Sequence, residues 1–156
     1  ALAANKILMP AVKEAIVDRS QVAIDTRTEL VDAITDEINT LHEYQTELDT
    51  IETRRHNLVL HLDNVYTHRG EAAFDIWCVL EEFEDELDEI AGHRQAEIHS
   101  PPVAEVPSDK MPVEPIEFYK YLYSESEAPQ YPVLSVIGNL GKTIRADKSQ
   151  IRADLG

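Results

Sequence analysis

Six histidines and thirty acidic side chains put metal coordination first among the chemistries to weigh. His56, His61 and His68 fall in one helical stretch, with Glu52 one turn before His56, and His61 and His68 share a face. A carboxylate-bridged di-metal bundle needs a Glu-x-x-His pair on each of two helices and a lone Glu on two more. No Glu-x-x-His occurs in the chain. His42-Glu43 opens a zinc-protease pattern, but Thr46 stands where its second histidine must be. The expectation is that no metal is held, with His61 and His68 forming hydrogen bonds at the surface or between helices. A metal-binding helical bundle stays only as a third reading.

Nucleotide and nucleophile chemistry fare no better. Gly138-Asn139-Leu140-Gly141-Lys142-Thr143 mimics the end of a phosphate-binding loop, with Tyr131 to Ile137 as the strand before it. The first glycine of such a loop lies five positions before the second, where Val136 stands, and the 13 residues after Thr143 are too few for a nucleotide-binding sheet. The two glycines are expected instead to let helices approach closely or to bend the last helix. Cys78 lies beside Trp77 among Asp75, Glu81 and Glu82, acidic neighbours that disfavour a reactive thiolate, and reads as a packed core residue. A single cysteine excludes an intramolecular disulfide and a multi-cysteine zinc site. The expected protein is not an enzyme, holds no cofactor, and has no catalytic residues.

The composition agrees with that reading. The chain has 156 residues, which suits one compact unit, and 43% of them are apolar, enough for a core. Its net charge of -16 repels DNA phosphates and anionic lipid, so direct binding to nucleic acid or to a membrane surface is not expected. Only 5 glycines speak against turn-rich all-β folds and doubly wound nucleotide binders. No run reaches the roughly 18 apolar residues of a membrane span, and Ala1 to Met9 is too short and weakly basic for a signal peptide. A cytoplasmic protein is the expectation.

These residues must be carried by helices. Between Pro10 and Gly70 lie 59 residues without proline or glycine, which as one helix would extend about 90 Å. With Ile34 on the first heptad position, Leu41, Leu48 and Leu62 share it, and Leu30, Tyr44, Ile51, Leu58 and Val65 take the fourth. That is a coiled-coil seam, continued with slippage through Ile16 and Ala23, and another helix must cover it. Arg27, Arg55, Arg69 and Glu37 interrupt the seam. They set register or reach solvent, or else they meet an acidic partner helix.

A second amphipathic helix runs from Glu71 to His93 on Ala73, Ile76, Leu80, Phe83, Leu87 and Ile90. Gly70 is expected as a tight turn between antiparallel helices, the alternative being a stutter in one longer rod, and Gly92 as a cap near the second helix's end. Acidic residues fill seven of the nine positions from Glu81 to Glu89 and read as a solvated face, or as a ridge that attracts a basic protein. The organisation is then a helical coiled-coil hairpin over 1–99, a proline-rich linker over 100–115 and a small aromatic element over 116–156 that docks on the hairpin. In that element Ile116 to Tyr123 and Pro132 to Ile144 are short helices, and the tail from Arg145 frays.

Phe118-Tyr119-Lys120-Tyr121-Leu122-Tyr123, followed by Tyr131-Pro132-Val133-Leu134-Ser135-Val136-Ile137 and Leu140, resembles the C-terminal signature of a haloarchaeal helical family of unknown function. The match covers about 25 of the 156 residues and brings no activity with it. The resemblance implies a salt-loving host, and 6 lysines against 30 acids agree with it. The expected fold is all-α, and the expected function is protein–protein interaction or scaffolding through coiled-coil surface. The alternative is an acidic regulator that binds a basic or nucleic-acid-associated partner. The residues expected at an interface are Leu30, Ile34, Leu41, Tyr44, Leu48, Ile51, Leu58, Leu62, Tyr121, Tyr123 and Tyr131. The expected partner is a second copy or another protein, because the first helix outlasts the second and leaves part of its seam uncovered.

Overall fold

The computed structural model describes the backbone of residues 2–103, 117–124 and 126–156, and their side chains from Pro10 onward. Ile116 and most of the proline-rich stretch, with Pro107, Pro112 and Pro115, lie outside the described residues. The described residues form an all-α protein of four helices: α1 (Leu2–Asp63), α2 (Arg69–His99), α3 (Phe118–Tyr123) and α4 (Pro132–Leu155). The chain divides into two units, Ala1–Ile38 and Asn39–Gly156.

The first unit is helical from Leu2. Ala33 and Glu37 are buried and Leu30 and Ile34 half-buried, at the spacing of a single helix face. Most of its other large apolar side chains are exposed.

The second unit is a bundle of residues 39–63 of α1 with α2 and α4 around one core. Tyr44 faces Arg94, and Arg54 pairs with Glu86, so α2 runs antiparallel to α1. Arg145 meets Glu84 and Lys148 meets Glu81, so α4 runs antiparallel to α2. Arg55 meets Asp147, which lays α4 parallel to α1. Tyr44, Leu48, Ile51 and Leu62 of α1 enclose the core with the α2 stripe Ala73, Ile76, Leu80, Phe83, Leu87 and Ile90. From α4 come Val133, Ile137, Leu140, Ile144 and Ile151. Leu80, Phe83 and Ile144 are fully buried. Each such side chain stabilises the bundle by roughly 1.5–3 kcal/mol.

Three local expectations are corrected. The reversal between α1 and α2 falls at Asn64–His68, not at Gly70. The Asn64 and Val65 backbone N–H groups donate to the His61 (3.0 Å) and Leu62 (3.2 Å) carbonyls, the Asn64 side-chain amide donates to the Leu60 carbonyl (2.8 Å), and Arg69 Nη1 donates to the Leu62 carbonyl (2.5 Å), so the last carbonyls of α1 are paired without a glycine-closed turn. His68 takes the left-handed conformation, φ 52°, while Gly70 lies in the first turn of α2 and no glycine has positive φ. Gly92 caps nothing. α2 runs on to His99 because Arg94, one turn beyond Ile90, packs inward. The tail from Arg145 is helical to Leu155, since Asp147, Lys148 and Asp154 pair across the bundle and Ile151 is buried.

Candidate interaction surfaces

Two polar clasps hold the bundle from outside its core. Arg55 interrupts the α1 seam and reaches α4: its Nε and Nη2 donate to the two oxygens of Glu52 at 2.7 Å, and its Nη1 to Asp147 at 2.6 Å. The paired guanidinium holds the Glu52 carboxyl below its usual range, and the hydrogen bonds, Glu52 first, hold Arg55 above its own. Lys148 lies 4.6 Å above the Trp77 ring and donates to Glu81 and to Glu84 (2.6 Å). Burial pulls its ammonium down, and the two carboxylates outweigh that and hold it above its ordinary value. Of the seam interruptions, then, Arg55 meets an acidic residue of a neighbouring helix, as does Arg69, which lies 3.9 Å from Asp154. Arg27 is exposed and Glu37 is buried.

At the other end of α2 a charged residue replaces the apolar stripe. Arg94 keeps 2% of its side chain exposed. Its guanidinium lies 5.7 Å from the Tyr44 ring and 5.4 Å from the Tyr119 ring, and Nη1 donates to Glu97 at 3.1 Å. Tyr119 of α3 donates to the Glu97 carbonyl, and Phe118 packs edge-on against Tyr119 at 5.1 Å. The arrangement ties α3 to α1 and α2 by cation–π and hydrogen-bond contacts around one desolvated charge. Burial, then the Glu97 carboxylate, push the Tyr44 phenol up to about 12. The apolar periodicity of α2 gives no sign of this, because an arginine at the next stripe position reads as surface.

The residues expected at an interface fall into three groups. Tyr44, Leu48, Ile51 and Leu62 are buried in the bundle core, and Leu41 and Leu58 pack half-buried against it. Leu41, Tyr44 and Leu48 also line an open groove of about 310 Å³ with Pro132, Val133 and Val136 of α4. Leu30 and Ile34 are half-buried in the first unit, and Tyr123 is half-buried on α3. Tyr121 and Tyr131 are exposed.

A second apolar row, beside the heptad seam, stays open in the structure. Val17, Ile24, Val31 and Ile38 recur every seven residues and expose between 49% and 60% of their surface. Its signal was legible: each of the first three is followed by aspartate, at Asp18, Asp25 and Asp32.

The remaining chemistry is dispersed. All six histidines are exposed, and among the described residues no group of three His, Cys, Asp or Glu is placed to hold a metal ion. Tyr131 caps α4, which starts at Pro132, so no strand precedes Gly138. An added Cβ on Gly138 would meet nothing within 4 Å, and one on Gly141 only the Arg145 side chain, so neither glycine serves a close helix approach. Cys78 is half-buried rather than packed in the core. Among the described residues, no helix is long and apolar enough to cross a membrane.

Comparison with known protein families matches residues 1–148 to the model of a domain of unknown function, DUF7260. No curated protein and no solved structure matches the chain.

Proposed function

The chain belongs to the DUF7260 family, and we propose that it is a non-enzymatic interaction or scaffolding protein of the cytoplasm of a salt-loving host. The bundle of residues 39–156 is the folded support. The exposed helix face of residues 10–38 is the surface it offers to a partner.

One observation carries this reading: Val17, Ile24, Val31 and Ile38 expose 49–60% of their surface along one face of a single helical segment. Scattered apolar side chains at a surface are ordinary, but a dense set on a single segment marks a contact area. The acidity supports the host, since dense carboxylates keep a protein hydrated and dispersed where salt screens charge. An acidic regulator that binds through Glu81 to Glu89 has less support, because Glu81, Glu84 and Glu86 already pair with Lys148, Arg145 and Arg54.

The test is recovery of bound proteins from an extract of the source organism at its own salt. The whole chain is compared with a variant carrying Val17→Gln, Ile24→Gln and Val31→Gln. A protein retained by the parent and lost from the variant supports the reading. Identical sets from both overturn it.

A further inference from the structure

We infer that the occupant of this face is a second copy of the chain, docked parallel and in register along Val17, Ile24, Val31 and Ile38. The inference rests on the interaction reading and names its partner.

The row is spaced as a seam. Its four members are β-branched and seven apart, and Gln21, Thr28 and Thr35 fill the alternate seam positions between them. Covering those threonines strands no hydroxyl. Thr28 Oγ1 donates to the Ile24 carbonyl and Thr35 Oγ1 to the Val31 carbonyl, both at 2.9 Å, so both hydroxyls on the seam already have their partners within the helix. Gln21 is likewise turned aside, donating to Asp25 at 2.9 Å.

Charge selects the partner and its direction. On one flank of the row stand Asp18, Asp25 and Asp32, each one residue after a row member. On the other stand Lys13, Ser20 and Arg27, each four residues before one. In a parallel, in-register pair the residue on one flank meets the residue five positions later on the opposite flank of the other copy. Lys13 then meets Asp18, Ser20 meets Asp25, and Arg27 meets Asp32, each contact occurring twice by symmetry. An antiparallel pair sets like flanks together, aspartate against aspartate and Arg27 beside Lys13 or Ser20. A chain of net charge -16 has few basic residues, and this segment places two of them where a second copy presents acid.

The experiment places single cysteines on the row in a Cys78→Ser background. Val17→Cys and Ile38→Cys chains are mixed, oxidised mildly at the lowest salt that keeps the circular dichroism helical, and the linked peptides are read by mass. Parallel pairing gives links from 17 to 17 and from 38 to 38. Links from 17 to 38 show antiparallel pairing and overturn the proposal. In a second arm, sedimentation at the lowest salt that keeps the circular dichroism helical measures self-association of charge variants. Arg27→Glu and Asp32→Arg are each expected to weaken it roughly tenfold, as two contacts turn repulsive, and the double swap to restore it. A double swap as weak as the singles overturns the charge pairing. A parent chain that is monomeric at high micromolar concentration but still retains a host protein through the row overturns self-pairing and leaves the interaction reading standing. A monomer that retains none removes both.

Discussion

Arg55 of α1 donates to Asp147 of α4 at 2.6 Å across 92 positions of sequence. The contact explains a charge on a heptad seam: α4 lies along that seam and supplies the acid. Because Glu52 holds the other edge of the same guanidinium, removing Asp147 does not strand the charge. Asp147→Ala is therefore expected to cost about 1–2 kcal/mol, and Arg55→Ala about 3 kcal/mol, because the latter leaves Asp147 and Glu52 without their cation. Urea denaturation of both variants checks the order, and a larger loss for Asp147→Ala would contradict it. The lowered Glu52 carboxyl adds a sign: its contribution is complete above its ordinary 4.5 and is lost as the pH falls below that.

Tyr44 gives the opposite dependence at high pH. Its phenol is raised from 10.0 to about 12, so the folded state holds a proton that the unfolded state releases between those values. The contribution is complete below pH 10 and declines through 12, by roughly 2–3 kcal/mol in all. Thermal melts across that window should fall more steeply for the parent than for Tyr44→Phe. Parallel curves would show that the phenol titrates normally.

Gly70→Ala separates a turn glycine from a helical one. Gly70 is helical, and the nearest atom to an added Cβ is Leu155 Cδ2 at 3.9 Å, an ordinary contact. The substitution is expected to raise stability by about 0.5–1 kcal/mol, from backbone entropy removed from the unfolded chain. A loss of stability would mean that the turn needs glycine after all.

Salt should raise helicity. The net charge of -16 opposes compaction when unscreened, whereas ordinary exposed ion pairs contribute little that screening could remove. Circular dichroism is expected to deepen between dilute buffer and molar salt. An unchanged spectrum would remove the physical support for a salt-adapted chain.

Much of the fold was legible because helix faces are local. The stretch without proline or glycine before Gly70 and the Ala73–Ile90 stripe required two long helices, and α1 and α2 follow. Single boundaries were less legible, because an end depends on who satisfies its carbonyls. Asn64 and Arg69 close α1, so the chain reverses before Gly70. The open row is legible too, as the Val17-Asp18, Ile24-Asp25 and Val31-Asp32 repeat, but the adjoining seam through Ile16, Ala23 and Leu30 has the same period, and spacing alone does not say which of the two is covered.

By itself, then, the sequence determined the helical class, the apolar faces and the acid surplus, all of which follow from residue type and spacing along one element. A stripe states that it must be covered and is silent about what covers it. Only the tertiary structure decided that α4 lies parallel to α1 and closes the bundle over Tyr44, Leu48, Ile51 and Leu62. It also decided that Arg94 is buried between Tyr44 and Tyr119. Those outcomes depend on which distant side chains share one volume. Residue spacing along a helix leaves that choice open, and packing and charge pairing between helices settle it.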